Sequence, residues 1–473
     1  MHVLKPWSGI VPFILLIGLL AAVEPAASAP PPRLSVSPNV NVSRMAGNQA
    51  ETTIAVNPTN PNNIAVASNV QFGAKLFKAY STDGGRSWTT DLIADGDNLG
   101  VACCDPSMAF DEFGNLFLTY LDSKAHLVMM ALSTDGGANF SFLGSIRSLS
   151  KSADEHPPGS KTKAPVDQPT VTTGAGTVWV DWKVFNGSHT SIEASGARVS
   201  GLGQVGAFSA PQRAPGSAEG NFGDVAIGPK GQVMVVYQDN IPTEGPSNIW
   251  VNVDPDGLGP QGFGSQIAVG TTNVGGFDFI PPQSRRSVDA ETGLAWDRSG
   301  GQRTGRVYLL YTDELPDESN DTDNFVRFSN DDGHSWSTPV RVNDDAGHNS
   351  QFNPRIALDQ TSGNVAVSWH DSRNDLGTGG PGDTNGVPND DAQFFATASV
   401  DGGLSFLPNV QVSEGTSNAI AAANGVQYGD YTGLTFHAGR FYPSWADNSN
   451  STGDNPDGAL SKFDVYTARI SLS

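Results

Sequence analysis

Cysteine is almost missing from this chain: its 473 residues include 2, Cys103 and Cys104, and they are adjacent. There is no CxxC pair and no spaced Cys/His ligand set, which excludes thiol redox catalysis and a structural zinc site. Positive charge is scarce as well, with Lys+Arg 27 against Asp+Glu 49 and a net charge of -22. Nucleic acid, whose phosphates need Lys and Arg, is therefore not an expected partner, and an anionic membrane surface would repel the chain. Apolar runs long enough to suggest a membrane segment are confined to the N-terminus, and helical periodicity is lacking. Gly 54 and Pro 31 are what abound, the composition of a β-fold with many turns.

At the N-terminus His2 and Lys5 precede the apolar run Ile10 to Val23, and Ala27-Ser28-Ala29 offers the small residues a signal peptidase accepts. Residues 1–29 are read as a secretory signal. The alternative is an uncleaved anchor, but the run is short for a bilayer and carries Pro12 and Gly18. The expected mature protein is secreted or periplasmic, with no membrane contact after cleavage. In such a compartment two thiols rarely stay free. A vicinal disulfide between Cys103 and Cys104 is expected, with a reduced pair or a cross-link to another chain as alternatives.

Phe352 to Glu414 sets the pattern for the rest. Arg355 to Leu358, Val365 to Trp369, Phe394 to Ala398 and Val410 to Val412 are short apolar, β-branched runs bounded by Gly, Asn or Asp, and each reads as a strand. The first two strands recur from Glu51, Asp105, Asp167, Asn221, Glu291 and Gly429, giving seven copies in all. One four-stranded sheet cannot bury both faces alone, and a repeat of this length predicts a β-propeller. The expected fold class is thus all-β, with four-stranded antiparallel blades, most simply seven of them. Residues 30–38 read as a linker and 39–473 as a single domain.

The last repeat ends after its third strand, from Asp464, whereas a surplus strand, NVNVSR, stands at Asn39 to Arg44. It matches PVRVND from Pro339 and NVQVSE from Asn409, both fourth strands. Asn39 to Arg44 is therefore expected to complete the last blade and clasp the ring, which protects two edges that would otherwise stay unpaired.

The sharpest motif is S-x-D-x-G-x-x-[WF]. It occurs four times: Ser81 with Asp83, Gly85 and Trp88; Ser133 with Asp135, Gly137 and Phe140; Ser329 with Asp331, Gly333 and Trp336; Ser399 with Asp401, Gly403 and Phe406. The carboxylate accepts N–H groups of its own turn, glycine takes positive φ, and the aromatic plugs the seam beneath. Asp254-Pro255-Asp256-Gly257 resembles a worn copy. These motifs resemble Asp-boxes (BNR repeats), and the chain resembles the Asp-box propellers, the superfamily that includes sialidases. The resemblance implies boxes on the outer 3-to-4 turns and a ligand site on the opposite face. It also makes a six-bladed, sialidase-type ring the alternative to seven blades.

On that ligand face the 2-to-3 loops are rich in oxygen: Asp313 to Asn324, His370 to Asp391 and Asp447 to Gly458. Ca²⁺ is the ion such loops would suit, although no EF-hand spacing is present, no metal ligand is assigned and no cofactor is required. The strand entrances add Glu51, Asp105, Asp167, Asp224, Glu291 and Asp430, which would ring the channel mouth. Resemblance to sialidases implies an arginine cluster for a sugar carboxylate, with Arg355, Arg373 and Arg285 or Arg286 as candidates. It implies Tyr431 as nucleophile, Glu291 as its partner and Asp105 as acid. Seven-bladed relatives acting on neutral polysaccharides imply instead a pair of carboxylates, with Trp182 and Trp445 as sugar platforms. A non-catalytic propeller binding glycans or proteins, stabilised by Ca²⁺, is the remaining reading. The expected partner throughout is an extracellular glycan or glycoprotein.

Overall fold

A computed structural model describes residues 1–9, 30–71, 73–149, 164–239, 243–422 and 425–473. Most of the segment read as a signal, residues 10–29, lies outside the described residues. Met1–Pro32 is a unit of its own, and residues 1–9 carry no regular secondary structure. Among the described residues no helix is long and apolar enough to cross a membrane.

Arg33–Ser473 forms seven antiparallel blade sheets, with a separate two-stranded ribbon of Asp95–Asp97 and Gly100–Val101. Blade 1 runs Gln49–Val56, Ile64–Val70, Leu76–Ser81 and Thr89–Ile93. Blade 2 runs Ser107–Phe110, Leu116–Leu121, Val128–Ser133 and Ser141–Ile146. Blade 3 begins with Val166–Gly174, Thr177–Asn186 and His189–Gly201, and two short strands share its outer edge. Blade 4 opens with Asn221–Ile227, blade 5 with Gly293–Trp296, blade 6 with Gln351–Leu358 and blade 7 with Gly433–His437. First strands of successive blades touch in sequence all the way round and back to blade 1, so they line the central channel. Seven blades, not six, close the ring.

Closure uses the N-terminal ribbon. Val40 and Asn41 pair with Thr467 and Tyr466, completing blade 7 as its outer strand. Part of the stretch read as a linker is also strand: Leu34–Val36 pairs with Ile470–Leu472. Asn41 fastens the clasp by donating from Nδ2 to Asp464 Oδ2 at 2.6 Å.

Blade seams form the core. Between blades 6 and 7, for example, Phe394 stacks on Trp445 with ring centroids 4.8 Å apart, and both are buried. The four S-x-D-x-G turns join third to fourth strands of blades 1, 2, 5 and 6, and their aromatics pack into the seam with the preceding blade. Each builds the same cage. In the first, Ser81 Oγ donates to Asp83 Oδ1 at 2.8 Å, Gly85 N–H donates to Ser81 Oγ at 2.9 Å, and Ser87 N–H donates to Asp83 Oδ1 at 3.0 Å. Asp254 follows the same logic in blade 4, accepting from the N–H groups of Asp256 and Gly257.

Candidate functional site at the channel mouth

Six of the seven first strands enter the channel through the same irregularity. Register shifts at Ala50/Thr53, Asp167/Thr170, Asn221/Asp224 and Phe352/Arg355 mark β-bulges, and the extra residue takes positive φ: Glu51, Gln168, Phe222 and Asn353. Asp105 and Glu291 stand at the same place in blades 2 and 5, also with positive φ. In blade 7 the place is held by Tyr431. A non-glycine residue held in that region costs about 1 kcal/mol. Since Phe222 shares it, the strain belongs to how the fold bends its inner strands, as bulges at barrel rims do. Its consequence is chemical: it aims six side chains at one mouth, three of them carboxylic acids, and Tyr431 joins them from blade 7.

Asp167, Asp289 and Asp430 join those three. Asp430 is held by Arg286, whose Nε donates to Oδ1 at 2.5 Å while a second nitrogen donates to Oδ2. That guanidinium lies 3.8 Å from Glu51 and is about one third exposed. Glu51 accepts from Asn69 Nδ2, and Asn69 Oδ1 accepts the N–H of Asp105 at 2.8 Å. Gln168 donates its N–H to Asp105 Oδ2 at 3.3 Å and its Nε2 to Asp430 Oδ2 at 3.3 Å. Lys183, buried, donates to Asn221 Oδ1, and Asn221 Nδ2 donates to Asp289 Oδ2 at 3.1 Å.

Six acids with three nearby cations, Arg286, Lys183 and Arg355, cannot all ionise in a low-dielectric setting. Burial, then repulsion from Asp430, pushes Glu51 up to about 7. Burial and the same neighbour push Asp289 up to about 8. Asp105 rises well above the carboxylate range through burial and the charges of Glu51 and Asp167. Glu291 is raised by burial and Asp289, and neither of its oxygens has a partner. Tyr431 is raised too, by burial and by Asp105 and Glu51, which keeps its phenol protonated. Asp167, Asp289, Asp430 and Tyr431 are the partly exposed members, reachable from the mouth.

The structure thus brings Tyr431, Glu291, Asp105 and Arg286 to one mouth, while Arg355 lines a cavity of about 70 Å³ just inside, together with Tyr431. Arg355 lies 3.8 Å from Asp224, deeper in the channel than the ring of acids. The arginine cluster does not assemble as expected. Arg373 is spent elsewhere, paired with Asp371 and Asp344 and lying over the Phe395 ring. Arg285 is exposed, and its backbone N–H donates to Gln427 Oε1. The two expected sugar platforms are core residues: Trp182 and Trp445 are buried, each indole N–H donating to a protein oxygen. Cys103 and Cys104 are bonded to each other, immediately before Asp105. Among the 2-to-3 loops, Asp375, Asp390 and Asp391 each bring one carboxylate oxygen within 4.8 Å of the others, and backbone N–H groups and Asn and Thr side chains occupy them.

Sequence reasoning missed Asp289, Asn69 and Lys183. Asp289 lies ahead of the first strand of blade 5, where no sequence signal marks it. Lys183 breaks the apolar run VWVDWKVF, and a lysine inside a buried strand is itself a signal.

No protein family and no curated protein matches the chain. Solved structures similar to it include the α-L-arabinofuranosidase Arb93A from Fusarium graminearum, at 12% identity over 71% of this chain and 93% of that one, TM-score 0.44. Polysaccharide lyase Uly1 is 9% identical over 87% and 88%, TM-score 0.47. Hadza microbial sialidase Hz136 is 13% identical over 86% and 73%, TM-score 0.43. At these identities the likeness is one of fold.

Proposed function

We propose that the chain is a glycoside hydrolase of extracellular glycans, working at the acidic channel mouth through paired carboxyl groups on a neutral sugar. The observation that carries this reading is Asp289 beside Asp430. Asp289 keeps its proton to about 8, and Asp430 is bonded in a fork to the Arg286 guanidinium. Environments that push two acids apart define an acid and its charged counterpart. Asp289 would protonate the glycosidic oxygen as the bond to the anomeric carbon breaks, Asp430 would stabilise the positive charge developing there, and a water would then add to that carbon, returning its proton to the Asp289 carboxylate. Tyr431, protonated, would donate a hydrogen bond to a sugar hydroxyl. An anionic sugar fits less well, because Arg286 is already neutralised by Asp430.

A sialidase-type reaction keeps one observation in its favour: Arg355 and Tyr431 line the same cavity, with Glu291 interacting with Arg355. The test is reducing-sugar release from a panel of neutral polysaccharides beside a fluorogenic sialoside. Neutral-glycan cleavage that falls at least a hundredfold in Asp289→Asn supports the first reading. Cleavage of the sialoside alone, lost in Arg355→Leu, supports the second. Glycan retention without turnover would leave a binding propeller.

A further inference from the structure

A second void of the channel lies at its other end. A cavity of about 660 Å³ opens where first strands turn into second strands, and it shares Ile54, Met108 and Leu434 with the small cavity beneath the acids. Its size falls in the range of small-molecule sites, about 300 to 1,000 Å³. Its inner part is apolar, with Ile54, Val56, Met108, Phe110, Leu434 and Phe436, while Asp111, Glu112, Gln360, Thr361 and His437 add polar groups. One cation interrupts it.

That cation is Arg298. It leaves blade 5 and crosses two blades, donating from Nη1 to Ile227 O at 2.6 Å and from Nη2 to Thr173 O at 3.0 Å. Gly174 makes the room, since a Cβ there would stand 2.6 Å from the Arg298 Cζ. Those two carbonyls take two of the five guanidinium N–H groups. Among the described residues Arg298 has no ion pair. The nearest carboxylates, Glu112 and Asp297, act on it only across space, and each serves a backbone N–H, of Gly176 and Ser299. Burial works against its charge. A largely buried guanidinium normally has an anion opposite it, and in an otherwise acidic protein its isolation is informative.

We propose that this far mouth is a second binding site, for a small organic acid with an apolar body and one carboxylate. The body would fill the apolar wall and the carboxylate would take the free edge of Arg298 in a fork. Glu112 at the rim would repel a second negative group, which limits the ligand to one.

The site is independent of the reaction proposed for the opposite mouth, and its test is too. Binding of 2-naphthoate and of the neutral 2-naphthylmethanol to the full chain is compared by calorimetry. Naphthoate should bind at least tenfold more tightly. Arg298→Gln should remove that preference, Glu112→Gln should strengthen naphthoate binding a few-fold, and Asp289→Asn should leave it unchanged. Equal affinity for acid and alcohol in the unaltered protein would overturn the proposal. So would an Arg298→Gln protein with unchanged melting and unchanged naphthoate binding, or weaker naphthoate binding in Glu112→Gln. The acid-to-alcohol comparison stands even if Arg298→Gln does not fold.

Discussion

Arg286 and Asp430 form a two-pronged ion pair at the mouth of the channel, and Glu51 stands 3.8 Å from the same guanidinium. The arginine comes from the loop ahead of blade 5 and the aspartate from the entrance of blade 7, so the pair ties two blades across the ring. Replacing Arg286 by leucine leaves Asp430 beside Glu51 and Asp289 with its main counter-charge gone. Because the pair is partly open to solvent, the expected loss is about 1 to 3 kcal/mol rather than the larger cost of a sealed pair. Urea titrations of R286L should show the greater loss at pH 8, since Glu51 and Asp289 keep their protons at pH 5 and then add little negative charge beside Asp430.

The raised acids make stability depend on pH in an unusual direction. Glu51 at about 7 and Asp289 at about 8 hold protons in the folded state that the unfolded chain gives up near 4. Between those values the native state binds more protons, so stability falls as pH rises. The contribution is complete below pH 4 and lost through pH 7 to 8. The melting temperature should therefore drop between pH 5 and pH 8, and Asp289→Asn should flatten the upper part of that slope. A protein whose melting temperature climbs across this interval would contradict the assignment.

Blade number, strand order and the clasp were legible because they rest on repetition: Glu51, Asp105 and Glu291 each open the same strand pattern, and Asn39 to Arg44 copies Asn409 to Glu414. The acid ring was legible for the same reason. What could not be read is which long side chains turn inward. Arg355 and Arg373 look equivalent in sequence, yet Arg355 projects into the channel while Arg373, just past a second strand, finds Asp371 two residues away. Trp182 and Trp445 failed for a related cause: aromatic residues serve blade seams and sugar platforms alike, and seams are far more numerous. Asp289 escaped because it precedes the repeat and carries no motif.

The bond between Cys103 and Cys104 closes the shortest possible loop, so it constrains the unfolded chain very little. A double serine variant should lose less than about 1 kcal/mol. Thiol titration of the denatured, unreduced chain should find no free sulfhydryl, and reduction should then expose two. Any free thiol before reduction would contradict the pairing.

The S-x-D-x-G turns should be most sensitive at their last glycine. Gly333 has φ +86, and a Cβ there would sit 2.7 Å from Met234 Cε of the preceding blade. Alanine therefore meets two obstacles, a backbone conformation that L-residues avoid and a seam already filled. The first costs about 1 kcal/mol. Met234 is flexible enough to relieve part of the second. Gly333→Ala is expected to destabilise by about 1 to 3 kcal/mol in a urea titration. Gly231 also has positive φ, but nothing lies within 4 Å of its Cβ position. Gly231→Ala should cost the backbone portion alone. If the two variants melt together, the contact with the neighbouring blade contributes nothing and the turns act only as local hairpins.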